Sequence, residues 1–503
     1  HVIGGGTRKR NVVHLTVKGR HQASALVGGA GLKMDLPERE GLLGRSVELA
    51  EIITAMSSGS IVLTGMPGIG KTALLQAIPE ARYVAMDAAM DARSLTAAWL
   101  EIEDAPIDLE AQIEMLAGHR LIADEVQDVH DRHVDGVHAL LNGLPHVAIG
   151  IRAPSPFPGA MTLQGLDSES AAKLLGEGVD TEVAADVCEA LDGHPLALHL
   201  WTPADELPEA GDAVQAFVEE TVLSRLDTDE RAVLDALSCE PRPVLADDVG
   251  DLDFEPLDAA ALLRWPQGRL EVQHLIRNVR RVAWTVPEDL HAVAATRWSS
   301  VVGAEARWFE AHHLTMSGQD PSAFILEHEA EILTQSAAAA ALLDDALHAL
   351  PEAQALRRLA ARLALDRGEP DHAATHLRAL EEDDHILRAR LHRTNGDLNA
   401  AEAAEAAAMA VATKSEAAHM HLSGLSGRLD DRLPDEVGDL AAVEKGLADV
   451  RIGNLEDAKK RAAIVLIAIL RHRIAMLRDD GETAAAVRKD LADLAGGEDP
   501  LTE

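Results

Sequence analysis

The chain has 503 residues, which is too long for one hydrophobic core and suggests about three or four domains. Its formal net charge of −38 and aromatic content of 2% argue against a chain-wide nucleic-acid surface, which needs cations for phosphates and rings for bases. Cys188 and Cys239 are too few and too isolated for a disulfide framework or a zinc site. Because no apolar run reaches about 18 residues, we expect a cytoplasmic protein that does not contact a membrane.

Residues 1–35 hold glycine clusters around two strand-like stretches, 11–17 and 22–27, and suggest no chemistry. From about residue 39, helical and strand-like segments alternate, which predicts an α/β domain over residues 36–165 with a parallel sheet. The predicted helices are 45–57, 72–78, 95–102, 109–116 and 134–141, and the predicted strands are 61–64, 82–86, 120–123 and 146–151. Such sheets bind nucleotides at the carboxyl ends of their strands.

The first predicted strand runs directly into a glycine-rich loop that fits the pattern G-x-x-x-x-G-K-[ST]. In this motif backbone N–H groups surround phosphate oxygens, the lysine adds a positive charge, and the hydroxyl holds Mg²⁺. The predicted nucleotide-binding residues of this loop are Gly65, Pro67, Gly68, Ile69, Gly70, Lys71, Thr72 and Ala73. A glycine turn without a ligand is the alternative interpretation.

Two acids end the apolar strand 120–123, which we expect to neighbour the strand of the phosphate loop in the same sheet. Asp124 then positions Mg²⁺ together with Thr72, while Glu125 orients and deprotonates the attacking water. Arg152 ends the next strand, where a cation can stabilise the γ-phosphate. The alternatives are that the acids only cap the following helix, and that Arg152 is a solvated surface residue. A metal cluster at His130 and His133 is disfavoured, because their spacing equally fits an exposed loop or helix start.

Strands become rare after about residue 164. A helical lid is predicted over residues 166–217 and a winged helix over 218–298, with residues 268–272 as a possible β wing. Residues 299–503 are rich in Ala, Leu, Glu and Arg, and glycine turns recur between their predicted helices at intervals of about 28 residues or multiples of it. The turns begin at Gly368, Gly396, Gly453 and Gly481. They indicate helical hairpins stacked as a solenoid, similar to tetratricopeptide repeats but with a shorter period.

With these motifs in their order, the chain resembles the signal-transducing P-loop ATPases called STAND, a group that includes NB-ARC and NACHT proteins. The motifs that carry the resemblance are Leu36-Pro37, Leu42-Leu43-Gly44-Arg45, Arg152, 161–166, 191–198, 226–234 and Gln273-His274. The resemblance implies that Leu43, Gly44 and Arg45 contact adenine, that Pro195 packs on the nucleotide, and that His274 contacts the β-phosphate of ADP. The chain departs from the family where Leu275 replaces an aspartate and Arg277 comes one residue early.

The resemblance further implies an ATP/ADP switch with Mg²⁺ that hydrolyses ATP slowly and self-associates when active, in regulation or antiphage defence. The helical repeats are the expected site for a protein or small-molecule trigger. An alternative is a winged-helix DNA-binding regulator or AAA-type loader, supported by the basic stretch from Arg277 to Arg281 and opposed by the overall acidity. A passive scaffold with a degenerate ATPase is disfavoured, because Lys71, Thr72, Asp124 and Glu125 are all present.

Overall fold

The computed structural model describes residues 42–176, 178–205, 214–284 and 287–411, together with residues 486 and 489. The chain divides into two compact units, the first ending at Ala353 and the second beginning at Gln354. Residues 1–41, and with them the strand-like stretches 11–17 and 22–27 and Leu36-Pro37, lie outside the described residues. The predicted turns at Gly453 and Gly481 lie outside them as well.

A five-stranded parallel sheet organises the start of the first unit, with strand order β2-β3-β4-β1-β5. Its strands are β1 (Ile61–Gly65), β2 (Arg82–Ala85), β3 (Leu121–Asp124), β4 (Val147–Arg152) and β5 (Met161–Thr162). The helices around it are α1 (Ser46–Ser58), α2 (Lys71–Gln76), α3 (Ala92–Leu100), α4 (Leu109–Leu116) and α5 (Asp131–Gly143). Because helices cover both faces, the central strands β3 and β4 are apolar and buried almost throughout.

One detail of the predicted sheet is wrong: β3 does not neighbour β1. The strand β4 lies between them, pairing with β1 from Ile61 opposite Ala148 to Gly65 opposite Arg152, and with β3 on its other side. The sequence order of strands does not specify their order in space, since each crossover helix can return the chain to either edge. All carboxyl ends still meet at one edge, so the catalytic candidates of β1, β3 and β4 converge there.

Helices dominate the remainder of the first unit. They are α6 (Ser168–Leu175), α7 (Thr181–Ala190), α8 (Pro195–Leu200), α9 (Val214–Phe217), α10 (Thr228–Ser238), α11 (Glu255–Ala259), α12 (His274–Val282), α13 (Pro287–Ser299), α14 (Ala304–Met316), α15 (Ser322–Glu327), α16 (Glu329–Ile332) and α17 (Ser336–Ala349). A short antiparallel hairpin joins β6 (Leu263–Arg264) to β7 (Glu271–Val272) immediately before α12. This hairpin falls where a wing was expected, and the winged-helix assignment stays a prediction.

The described part of the second unit consists of two helical hairpins. Its helices are α18 (Gln354–Asp366), α19 (Pro370–Arg378), α20 (His385–Thr394) and α21 (Leu398–Val411). Two of the predicted glycine turns lie between the paired helices, with Gly368 at φ 74° and Gly396 at φ 75°. This backbone conformation is one that glycine adopts without strain, and it ends the preceding helix. Within the described residues, no helix is long and apolar enough to cross a membrane.

Candidate functional site

The phosphate loop links β1 to α2, and its lysine is folded back onto the loop. Lys71 donates hydrogen bonds from Nζ to the carbonyls of Gly65 at 2.9 Å and Met66 at 3.0 Å. Burial lowers the pKa of Lys71, whereas Glu125 and Asp124 act in the opposite direction. Gly70 adopts φ 100° at the position preceding α2, which lets the chain turn directly into the helix. The loop therefore presents a buried ammonium group to any phosphate that it binds.

Thr72 and Asp124 meet as the sequence predicted. The Thr72 hydroxyl donates to Asp124 Oδ2 at 2.7 Å, and the Tyr83 hydroxyl donates to the same oxygen at 2.9 Å. Asp124 is fully buried, and burial raises its pKa with the adjacent Glu125 adding to the effect. A hydroxyl and a carboxylate are the hard oxygen ligands that Mg²⁺ prefers. The pair therefore fits Mg²⁺, and Tyr83 is a member of the site that the sequence motif did not reveal.

Glu125, the predicted catalytic base, is held by residues that are distant in the chain. Its Oε1 accepts from Arg264 Nη1 and lies next to His274 Nδ1, both at 3.1 Å, while Gln127 donates to Oε2 at 2.7 Å. Burial disfavours the ionised form, but His274 and Arg264 outweigh it and hold the pKa of Glu125 well below its usual range. The carboxylate borders a cleft of about 510 Å³ that also exposes Tyr83 and Arg264.

The contacts of Glu125 belong to a larger buried ion network that joins the sheet edge to the β6–β7 hairpin and α12. Glu271 accepts from Arg264 at 2.7 Å and from Arg277 at 2.8 Å, and its Oε1 lies 3.1 Å from His274 Nε2. Asp128 pairs with Arg152 and lies 3.6 Å from His274. The network has three carboxylates, Glu125, Asp128 and Glu271, and four basic side chains, Arg152, Arg264, His274 and Arg277. We call it the hairpin latch.

The predicted proline motif touches the phosphate loop through the residue before the proline. His194 lies 2.9 Å from the Pro67 carbonyl through Nε2, and its Nδ1 accepts from the N–H of Ala197 at 3.2 Å. This pair of bonds requires the neutral ring with its proton on Nε2. Burial lowers the pKa of His194 to about 4, in agreement with that form. Pro195 itself is half-buried at the first position of α8.

The segment preceding α1 packs tightly against the phosphate loop, the chain after β5, and α6. Arg45 donates from Nη2 to the carbonyls of Ile69 at 3.3 Å and Gln164 at 2.5 Å, which ties the segment to the phosphate loop. Gly44 has φ 65°, and a Cβ there would lie 2.3 Å from Ser170 Oγ of α6. Leu43 is partly exposed beside them. The expected adenine-contacting residues thus lie between the phosphate loop and α6.

Two glycines cross backbone to backbone where the sheet domain ends. A Cβ on Gly165 would lie 1.9 Å from the carbonyl oxygen of Asp192, and a Cβ on Gly193 would lie 2.2 Å from that of Leu166. The N–H of Leu166 donates to the Gly193 carbonyl at 2.8 Å. The loop before α8 is therefore fixed directly to the chain that leaves β5, and no larger residue fits at either position.

The start of α5 contacts α17. His130 Nε2 lies 3.1 Å from Asp345 Oδ1, Arg132 pairs with Asp344 at 2.6 Å, and His133 lies 2.9 Å from the Ala337 carbonyl. The two histidines that invited a metal interpretation therefore have hydrogen-bond partners on another helix. This contact connects the nucleotide domain to a helix that lies in the predicted repeat region.

We expect the His130–Asp345 contact to weaken as the pH rises. The hydrogen bond to Asp345 raises the pKa of His130 although burial opposes it, so the ion pair is complete below about pH 6.5 and is lost as the pH passes the raised value. Histidine-selective NMR titration measures this, and Asp345→Asn should lower the midpoint of His130. His138, which lies on α5, is an internal control because its pKa is shifted in the other direction, lowered by burial, and should not change in Asp345→Asn. An unchanged His130 midpoint in Asp345→Asn would contradict the assignment.

The structure thus brings Lys71, Thr72, Asp124 and Glu125 to one edge of the sheet, as the motifs predicted. Arg152 forms an ion pair with Asp128, and the His274 ring lies within hydrogen-bonding distance of Glu125. The residues that sequence reasoning missed are Tyr83, Gln127, His194, Arg264 and Glu271. Of these, His194 lies inside the quoted motif 191–198 and Glu271 inside the possible β wing 268–272. The other three had no local signal.

The fold matches a crystal structure of a Signal Transduction ATPase with Numerous Domains, a STAND protein with a tetratricopeptide repeat sensor from Pyrococcus horikoshii. The identity is 18% and the TM-score 0.58, over 92% of this chain and 78% of that chain. No protein-family model and no curated protein matches the chain. The predicted resemblance is thereby confirmed for the fold: a parallel α/β P-loop domain followed by helices that include TPR-like repeats.

Proposed function

We propose that this chain, which has the fold of a STAND ATPase, is an ATP/ADP-dependent signalling switch that hydrolyses ATP slowly. The observation that carries the proposal is the engagement of Glu125 by Arg264 and His274 of the hairpin latch. An enzyme selected for constant turnover has no need to occupy its catalytic base with side chains from another part of the chain. A switch does, because its resting form must keep hydrolysis and nucleotide exchange slow.

The proposed chemistry uses the residues at the sheet edge. The phosphate loop and Lys71 would bind the β- and γ-phosphates. Thr72 and Asp124 would hold Mg²⁺, which supplies positive charge that neutralises the phosphate oxygens. Glu125 accepts a proton from the attacking water while the water oxygen bonds to the γ-phosphorus. At the same time the bond between the γ-phosphorus and the oxygen that bridges it to the β-phosphate breaks. Arg152 stabilises the charge on the transferred phosphoryl group.

The latch opposes this chemistry in two ways. It occupies Glu125 Oε1, the oxygen that would otherwise contact water, and its cations lower the pKa of the carboxylate and so weaken it as a base. Release of His274 and Arg264 frees the oxygen and removes that effect. A nucleotide can drive the release only through contacts that differ between the closed and open forms. We propose that ADP favours the closed form through Pro195 and His274, and that ATP favours the open form.

The open form is proposed to self-associate in the cytoplasm once the helical repeats sense a protein or a small molecule. The contact between α5 and α17 is the route by which such a signal would reach the nucleotide domain, since Asp344 and Asp345 bind the start of α5. Regulation and antiphage defence are both compatible uses of this switch.

The DNA-binding alternative receives no support from the basic stretch that suggested it. Arg280 pairs with Asp235 through two hydrogen bonds of 2.7 Å, and Arg281 donates to the carbonyls of Ser238 and Glu240. Arg277 binds Glu271 inside the latch. Because these guanidinium groups already have partners within the protein, they are poorly placed to neutralise DNA phosphates.

We expect the purified chain to be a monomer carrying close to one ADP, and Lys71→Ala to lose it. Removing the ammonium group deletes charge-assisted hydrogen bonds and should weaken nucleotide binding by about 10–100-fold. Light scattering gives the mass, and chromatography of the denatured protein identifies what was bound. Lys173→Ala, which removes an exposed lysine of α6, is the matched control. Nucleotide-free wild-type protein, or equal ADP content in wild type and Lys71→Ala, would reject the proposed switch.

A further inference from the structure

A second cluster of reactive side chains lies outside the nucleotide site, where α10, α13 and α14 meet. Cys239 follows the last residue of α10, His291 lies on α13 and His313 on α14, and all three are buried. One potential ligand atom from each, the thiol sulfur and a ring nitrogen of either histidine, lies within 4.8 Å of the other two. Nothing in the proposed switch chemistry uses these residues.

The two imidazoles face each other through their Nδ1 atoms. The Nδ1 atoms of His291 and His313 are 2.8 Å apart, and the Nε2 of His313 lies 3.1 Å from Glu240 Oε2. With Nε2 of His313 donating to Glu240, Nδ1 of His313 accepts the hydrogen bond from His291 Nδ1–H. That lone pair becomes available to a metal ion once the Nδ1 proton of His291 moves away. Metal-binding histidines almost always have this carboxylate partner on their other nitrogen, because it fixes the tautomer and the ring orientation.

Glu240 is itself fixed in position. It is 3% exposed, accepts from the indole Nε1 of Trp298 at 3.2 Å, and pairs with Arg297. Because Trp298 and Arg297 hold this buried carboxylate in place, it can fix the orientation of the His313 ring. The cluster therefore contains three candidate ligands and a rigid outer partner, which is the composition of a preformed metal site.

We propose that Cys239, His291 and His313 bind one divalent transition metal ion of the Zn²⁺ type, with Glu240 positioning His313. Zn–N bonds of about 2.0 Å and Zn–S bonds of about 2.3 Å place tetrahedral ligand atoms roughly 3.3–3.6 Å apart. In the structure the two Nδ1 atoms are 2.8 Å apart, and all three ligand atoms lie within 4.8 Å of one another. These distances lie on either side of the tetrahedral range, so small side-chain movements suffice to bring the three atoms to bonding distance of one ion. A thiolate with two imidazoles selects Zn²⁺ over Mg²⁺ or Ca²⁺. The fourth position is left for water.

Binding of the metal ion releases one proton from the protein. Cys239 gives up its thiol proton to solvent as the sulfur–metal bond forms, and His291 moves its proton from Nδ1 to Nε2 so that Nδ1 can also bind. The ion would connect the end of α10 to both α13 and α14, which begin the region after the hairpin latch. Metal binding would thus link two helices of the predicted winged-helix region, α10 and α13, to α14, the first described helix of the predicted repeat region.

The sequence argued against a zinc site because its two cysteines are too few and too isolated. The three residues come from three separate helices, so only the packing of α13 against α14 and α10 brings them together. Their separation in the chain explains why a spacing pattern does not reveal them.

The test uses Co²⁺ as a spectroscopic substitute for Zn²⁺ on the chelator-treated full chain. The chain has only two cysteines, so Cys188→Ala leaves Cys239 as the one possible thiolate ligand. We expect the thiolate-to-cobalt charge-transfer band to develop with one Co²⁺ per chain in the wild type and in Cys188→Ala, and to disappear on adding one equivalent of Zn²⁺. This result needs no variant of the cluster to fold. The absence of the band from both proteins would overturn the proposal.

Two cluster variants extend the test. Cys239→Ala should abolish the charge-transfer band, and His291→Ala should weaken Zn²⁺ binding by at least 100-fold in competition with a chromophoric chelator. Cys188→Ala is the matched control, since Cys188 is also buried but lies on α7 away from the cluster. A band that persists in Cys239→Ala, or equal Zn²⁺ affinity in wild type and His291→Ala, would reject the assigned ligands.

Discussion

Glu125→Gln is expected to lower kcat for ATP hydrolysis by about 10²–10⁴-fold, the usual contribution of a positioned general base. The amide cannot accept the proton of the attacking water. It retains the size of the side chain and an oxygen for Arg264, so nucleotide binding should change much less than kcat. Phosphate release at saturating ATP and Mg²⁺ measures the rate, and equilibrium binding of a fluorescent nucleotide measures the affinity.

Glu110→Gln is the matched control for this prediction. Glu110 is an exposed residue in the first turn of α4, and the same chemical change there should leave kcat unaltered. If Glu125→Gln hydrolyses ATP at the wild-type rate, Glu125 is not the base.

Arg264→Ala is expected to raise the ATP hydrolysis rate by roughly 10-fold, in the opposite direction to Glu125→Gln. A hydrogen bond to a charged group contributes about 1.5–3 kcal/mol, and its loss from the closed form shifts the balance toward the open form by a factor of this order or more. The ATP-bound variant should also show a larger mass by light scattering, because the open form is the one proposed to self-associate.

The double variant Arg264→Ala/Glu125→Gln separates the two roles. It should not hydrolyse ATP, yet it should still self-associate in the presence of ATP. Opening requires loss of the latch contacts and does not require ATP hydrolysis. Arg269→Ala is the control, since Arg269 lies between β6 and β7 but pairs with Glu305 instead of Glu125. Equal acceleration by Arg269→Ala and Arg264→Ala would show that the hairpin matters only for folding, and would reject the latch.

The local elements of the nucleotide domain could be predicted because their signals are local. The helix predicted at 109–116 is observed as Leu109–Leu116. The strand predicted at 120–123 is observed as Leu121–Asp124, one residue further along. The difference arises because an aspartate normally marks the end of a buried strand, whereas Asp124 is buried among the hydroxyls of Thr72 and Tyr83.

The long-range part of the candidate site could not be predicted in the same way. Arg264 reaches Glu125 across a large separation in the chain, and no periodicity or motif links a short β-hairpin to the end of a distant strand. Tyr83 reaches Asp124 because β2 and β3 are paired in register, with Ala85 opposite Asp124, which is a property of strand order in space. The family resemblance assigned His274 to a phosphate, but it could not reveal the carboxylate beside it in this structure.

The crossing of Gly165 and Gly193 has a mechanical consequence for the lid. If the predicted lid rotates as a rigid body about this contact, the atoms nearest to the contact move least. His194 is the next residue after Gly193, so its bond to the Pro67 carbonyl has a short lever arm, whereas the far end of α7 has a long one. Such a rotation would therefore displace the far end of α7 more than the contact between His194 and the Pro67 carbonyl.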